Sequence, residues 1–183
     1  VPCSDLLSAL TFPEFLFIIF IRIYTLHLLE RGLSMITIEK RLDLPDTYPL
    51  ERIGALEDLL FFDIETTGFS GDRSHLYLIG CTYYQDGSWN LIQWFADTHE
   101  AEPELLHSFF SFLKNYRILV HFNGDGFDIP YLLKRCRHFD LPYDFSAVTS
   151  VDIYRRIKPY RKLLSLESMK QKSIEQFLGV SRK

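Results

Sequence analysis

A chain of 183 residues, 47% hydrophobic and 24% charged, is long enough to bury the apolar core of one domain; this excludes a disordered chain and a mini-protein stapled by disulfides or structural metal. A protein that coats duplex nucleic acid nonspecifically is usually basic, whereas an enzyme that grips one strand end through metals and a local basic face need not be, so the net charge of −4 neither supports nor excludes a nucleic-acid substrate. Cys3, Cys81 and Cys136 stand far apart with no CxxC pair, which argues against zinc and dithiol-redox motifs and suits reduced thiols in a cytoplasmic protein.

The first feature in chain order is an apolar run from Phe15 to Leu29, broken by Arg22 and His27. A spanning helix needs roughly 20 apolar residues. A secretory leader carries Lys or Arg ahead of its apolar run, where this chain has Asp5 and Glu14. No membrane association is expected. The first methionine is Met35, and Glu30-Arg31-Gly32 just before it can be encoded by a purine-rich stretch resembling a bacterial ribosome-binding site. Residues 1–34 are therefore expected to be upstream sequence translated in frame, the alternative being a terminal helix that is apolar on every face. Residues 35–58, with Pro45 and Pro49, read as a lead-in arm to a domain over 59–183.

Leu59-Leu60-Phe61-Phe62-Asp63-Ile64 predicts a central strand buried on both faces and ending in a carboxylate. Thr66 to Asp72 is loop chemistry. A second strand is predicted over His75–Tyr84 and a third over Trp89–Ala96, joined by the hairpin signal Asp86-Gly87. Pro103 opens a helix whose apolar face is Leu105, Leu106, Phe109, Leu113 and Tyr116. Ile118–Phe122 is a fourth strand, Ile129–His138 a helix with Pro130 in its first turn, Val148–Ile153 a fifth strand, and Ser165–Leu178 a last helix stopped by Gly179. The order predicts an α/β fold: a mixed sheet, three antiparallel strands then parallel strands, with helices on both faces. Sites in such sheets lie beyond the carboxyl ends of the strands.

Two clusters leave central strands at that edge. Asp63 and Glu65 share one side of their strand, because side chains alternate. Adjacent carboxylates repel, and Mg²⁺, which prefers carboxylate and water oxygens, removes the conflict. Thr66, Thr67 and Gly68 then offer hydroxyls, amides and a permissive turn to a nearby phosphate or sugar. A lone DxE is more often a polar strand exit. The second cluster, Asn123-Gly124-Asp125-Gly126-Phe127-Asp128, opens a helix; alone, Asp128 reads as a helix cap and Asn123 as a turn residue. His121 reads as a structural or supporting histidine rather than a base. Lys134, Arg135 and Arg137, and the run Arg155, Arg156, Lys158, Arg161 and Lys162, are each either a solvated face or a phosphate track.

Asp63-Ile64-Glu65-Thr66-Thr67-Gly68 and Asn123 through Phe127-Asp128 resemble the first and second motifs of the DEDD-type 3′→5′ exonucleases, most closely the YprB-like ribonuclease H-like domains, with Phe122 and Asp125 where Tyr and Lys are usual. Asp152 in Val151-Asp152-Ile153-Tyr154 resembles a further landmark, and the similarity covers roughly Leu59 to Val180. The resemblance implies a ribonuclease H-like fold and a two-metal site taking Mg²⁺ or Mn²⁺. Asp63 would bridge the metals, and Glu65 and Asp128 would each hold one. Thr66 and Thr67 would face the terminal nucleotide, with Asn123 and Phe127 in support. The implied reaction is in-line hydrolysis of the terminal phosphodiester of a single-stranded 3′ end, on DNA, with a helicase as partner. A fourth carboxylate and its neighbouring His or Tyr base are expected beyond Lys183, so the 59–183 domain is expected to be incomplete at its C-terminus. The alternatives are a noncatalytic nucleic-acid-binding module on the same fold, or another ribonuclease H-like nuclease acting on RNA.

Overall fold

The computed structural model describes residues 35–42 and 49–177. Its strands are β1 (Met35–Leu42), β2 (Leu59–Thr66), β3 (Leu76–Gln85), β4 (Ser88–Ala96), β5 (Ile118–His121) and β6 (Thr149–Asp152). Its helices are α1 (Glu102–Leu113), α2 (Asp128–His138), α3 (Ile153–Ile157) and α4 (Gln171–Phe177). One sheet runs in the order β1-β4-β3-β2-β5-β6. The pairs β1/β4, β4/β3 and β3/β2 are antiparallel, and β2/β5 and β5/β6 are parallel. This is the expected mixed α/β sheet. The tight turn between β3 and β4 uses Asp86 and Gly87, both at positive φ (52° and 73°), the backbone that matches the strands' twist.

Alternation along β2 splits the core between the two faces. Leu60, Phe62 and Ile64 pack with Leu105, Phe109 and Leu132 of α1 and α2. Leu59 and Phe61 pack with Val120, Ile153, Ile157, Leu166 and Ile174, under α3 and α4. β2 is thus buried on both sides until its carboxyl end, where apolar residues give way to Asp63 and Glu65.

Three expectations change. The stretch read as a lead-in arm contains β1, a fourth antiparallel strand in register with β4 from Met35↔Ala96 to Leu42↔Trp89. Its inner residues Met35, Ile36, Ile38 and Leu42 are only half-buried, as at a sheet edge, so the sequence pattern is weak. The last helix does not begin at Ser165, which sits at φ 50°, a left-handed conformation that no helix continues through; α4 starts at Gln171. Instead, a five-residue helix, α3, follows β6 directly, capped by the Asp152 side chain, which accepts the Arg155 amide. Residues 1–34, including the Phe15–Leu29 run, and residues 178–183, including Gly179, lie outside the described residues. Among the described residues, no helix is long and apolar enough to cross a membrane.

Candidate functional site

β2 and β5 run parallel, with Phe61 beside Val120, so both release their chains at the same sheet edge. β2 delivers Asp63 and Glu65 there. After His121, the chain turns through Asn123, held in the left-handed region at φ 62°. The Asn123 carbonyl accepts from the amides of Gly126 (2.9 Å) and Phe127 (3.1 Å), and the turn hands over to α2 at its first residue, Asp128. Asp128 is buried (5% exposed), and its carboxyl lies beside that of Asp63. The topology therefore joins Asp63 and Asp128, 65 positions apart in sequence.

Two carboxyls can share a hydrogen bond only when one holds a proton. Asp63 reaches solvent on one side but is ringed by protein on the others. That crowding, then the charges of Asp128 and Glu65, raises its pKa from 3.8 to about 8. Asp128 is raised to about 6, again first by burial; the Ile64 amide, which stabilises both carboxylates, partly offsets the rise. Burial also raises Glu65. Near neutral pH the pair therefore keeps a proton unless a positive charge lies nearby, and a divalent cation is the counter-charge that an all-oxygen donor set accepts best.

The loop after β2 is braced rather than loose. Thr66 Oγ1 donates to the Gly68 carbonyl (2.8 Å), and Thr67 Oγ1 accepts the His75 amide (2.9 Å). Beneath the loop, Arg135 forms a two-pronged pair with Glu102 and donates to the Gly71 carbonyl (2.9 Å). Arg135 is 2% exposed, which corrects its reading as part of a surface phosphate track; Lys134 of the same stretch pairs with Asp72 (2.7 Å). At the loop tip, Phe69 is 96% exposed and meets Phe127 edge to face at 6.3 Å.

Three groups that bind metals elsewhere, His121, Asp125 and Asp152, also gather beside the turn, with ligand-type atoms within 4.8 Å of one another. Their hydrogen bonds form a brace. His121 Nδ1 accepts the Gly124 amide (3.0 Å), so Nε2 carries hydrogen and faces Ser150 Oγ (2.8 Å), which donates to Asp125 Oδ1 (2.6 Å). Arg155 already supplies positive charge to Asp125 (3.0 Å). Asp152 Oδ1 accepts the Asn123 amide (2.9 Å). This network ties the turn before Asp128 to β6. Sequence reasoning missed Asp125, Asp152 and Glu102 as structural groups. The one available signal was Arg135, which shares a helix face with the buried Leu132 and Tyr131 at spacings of three and four.

The RNase_H superfamily model matches residues 60–183. A DNA polymerase of Thermococcus sp. (strain 9oN-7) is 32% identical over 94 residues, 46% of this chain and 12% of the polymerase. A DNA polymerase of Thermococcus aggregans is 33% identical over 86 residues, 42% of this chain and 5% of the polymerase. DNA polymerase 1 of Sulfurisphaera ohwakuensis is 32% identical over 72 residues, 33% of this chain and 8% of the polymerase. The chain thus spans a small part of the length of these relatives. With a six-stranded mixed sheet that gathers carboxylates at one edge and a match over residues 60–183, the chain belongs to the RNase_H superfamily, a superfamily of nuclease-type hydrolases.

Proposed function

We propose that this chain carries the nuclease domain of a divalent-metal-dependent 3′→5′ exonuclease of the DEDD, YprB-like kind, hydrolysing terminal phosphodiester bonds of a single DNA strand in the cytoplasm. The observation that carries the reading is the crowded Asp63–Asp128 carboxyl pair, with Glu65 two residues along the same strand face. Asp63, Glu65 and Asp128 would hold Mg²⁺ or Mn²⁺. Bound there, the cations would supply the charge that activates water and stabilises the leaving oxygen. The protein's own groups do the positioning. Thr67 Oγ1 accepts from His75 and keeps a hydroxyl hydrogen to donate to a phosphate oxygen. Thr66 acts through the shape of its loop, because its hydroxyl is turned to Gly68. Asn123 and Phe127 flank the turn that delivers Asp128, and Phe127 offers a ring to the terminal base. Partial similarity to three DNA polymerases favours DNA over RNA. The YprB-like resemblance adds a helicase as partner, which co-purification tests.

The direct experiment incubates the full-length gene product with single-stranded oligonucleotides labelled at either end, with Mn²⁺ and with chelator. The expected result is chelator-sensitive shortening from the 3′ end, reduced about a hundredfold or more by Asp63→Asn, the scale of losing one electrostatic stabiliser of a transition state. Cleavage that survives chelator, runs from the 5′ end, or persists in Asp63→Asn would overturn the reading. Strand binding without metal-dependent cleavage would assign a binding module.

A further inference from the structure

Leu59 and Phe61 face α3 and α4, so by alternation Asp63 and Glu65 emerge on that same side of the sheet. Past the end of β5 this side opens into a groove of about 360 Å³, lined by Phe122, Asn123, Tyr154, Ser168, Met169 and Lys170. The groove adjoins the candidate site through Asn123, which lines it and also forms the turn into Asp128.

We propose that this groove holds an unpaired base of a single-stranded nucleic acid whose 3′ end lies at Asp63 and Asp128; the proposal rests on the exonuclease reading for the position of that end. Its volume falls at the lower end of the range of small-ligand sites, roughly 300–1,000 Å³. Its walls suit a base. The Phe122 and Tyr154 rings meet at 76° with centroids 5.7 Å apart, so they form an apolar corner against which a flat ring can lie. Met169 adds a polarisable side chain, and Asn123, exposed at the groove's inner end, carries an amide that can both donate to and accept from a base edge.

Charge selects a nucleic acid over other flat ligands. The run from Arg155 to Lys162 divides into two sets. Arg155 is spent on Asp125 and Asp152, and Arg161 donates to the carbonyls of Leu166 and Glu167, folding back the segment that carries Ser168, Met169 and Lys170. Arg156, Lys158 and Lys162 remain exposed, with Lys158 Nζ 5.8 Å from the centre of the Tyr154 ring, and the exposed Lys170 is itself part of the groove's lining. Aromatic walls with a cationic rim are the arrangement by which proteins hold single strands without reading sequence. The first set builds the groove and the second attracts phosphates.

The test measures binding in the presence of chelator, so that nothing is cut. Fluorescein-labelled thymidine 2-mers and 8-mers are titrated with the full-length gene product and with its Tyr154→Ala and Lys170→Ala variants, and melting temperatures are taken on the same samples. The short probe reaches only the end site; the long one also reaches the groove. Tyr154→Ala should weaken the 8-mer about tenfold, the size of losing one base–aromatic stack, and leave the 2-mer unchanged. Lys170→Ala, an exposed change that the fold tolerates, should lower the salt dependence of 8-mer binding by about 0.7 in log–log slope. Wild-type 8-mer affinity and salt slope in both variants would overturn the proposal, as would equal weakening of both probes by a folded Tyr154→Ala. The two readings separate cleanly. A protein that binds the 8-mer through Tyr154 and Lys170 but never shortens it keeps the groove and loses the exonuclease. One that shortens 8-mers with unchanged KM in both variants keeps the exonuclease and loses the groove.

Discussion

Asp63 ionises at 3.8 in an unfolded chain and at about 8 in the fold, while Asp128 moves to about 6. The metal-free fold therefore retains protons that the unfolded chain has released. Below pH 3.8 the two states are protonated alike and the pair has no effect on stability. As pH rises from there to about 8, the fold loses stability step by step, the reverse of a salt-bridged aspartate. In chelator, the melting temperature should fall between about pH 5 and pH 8, and Asp63→Asn should flatten that slope; a slope unchanged by the mutation would show that the carboxyls do not share a proton. Mn²⁺ bound as proposed would compete with the proton, so it should raise the melting temperature more at pH 8 than at pH 6. The meeting of Asp63, Glu65 and Asp128 at one sheet edge was legible in the sequence because a carboxylate ending an apolar strand, and another opening a helix after a glycine-rich turn, are local patterns. Asp152 was not. Its duty is to accept the Asn123 amide and to cap a helix of five residues, too short to show helical spacing. Asp152→Ala should cost about 0.5–2 kcal/mol in urea unfolding, the usual worth of an N-cap, and Asp152→Asn, which keeps an acceptor oxygen, should cost less.

At the scale of elements, the β2–β3 loop is held by a buried ion pair between two helices. Glu102 in the first turn of α1 is fully buried; it receives Arg135 of α2 and the Leu76 amide (3.2 Å), while Arg135 also reaches Gly71. Breaking such a pair leaves a charge buried without its partner, which costs about 3–5 kcal/mol. Glu102→Gln should therefore lower stability by that order in urea unfolding, and the combined Glu102→Gln, Arg135→Met should recover part of it. A double variant no better than the single one would show that the loop needs the charges themselves. The turn before α2 is equally constrained: a Cβ at Gly124 would lie 2.6 Å from His121 Nδ1, so Gly124→Ala must displace the imidazole or the turn. The helices and strands were readable from their periodicities and from Asp86-Gly87. The clamp was not, because nothing in the spacing of Glu102 and Arg135, 33 positions apart, says that they meet; only the crossover that lays α1 beside α2 brings them together.

At the scale of the whole molecule, the sheet has two unlike ends. β6 is four residues long at one edge, and β1 closes the other with eight paired residues along β4. The sequence hid β1 because an edge strand buries only part of its inner face and here carries Glu39, Lys40 and Arg41, the charged residues that discourage edge-to-edge association. That assigns β1 a protective task, since without it β4 would present Leu91, Ile92, Trp94 and Phe95 along an unpaired edge. Residues 1–34 carry no motif, and we propose that the domain does not depend on them. A chain shortened to begin at Met35 should unfold as cooperatively as the full chain and elute as the same species in size-exclusion chromatography. One shortened to begin at Leu50 loses β1 and should melt lower and self-associate as concentration rises. If the chain beginning at Met35 also aggregates, residues 1–34 contribute to the fold and are not dispensable upstream sequence. If the chain beginning at Leu50 remains monomeric with an unchanged melting temperature, β1 does not guard the edge.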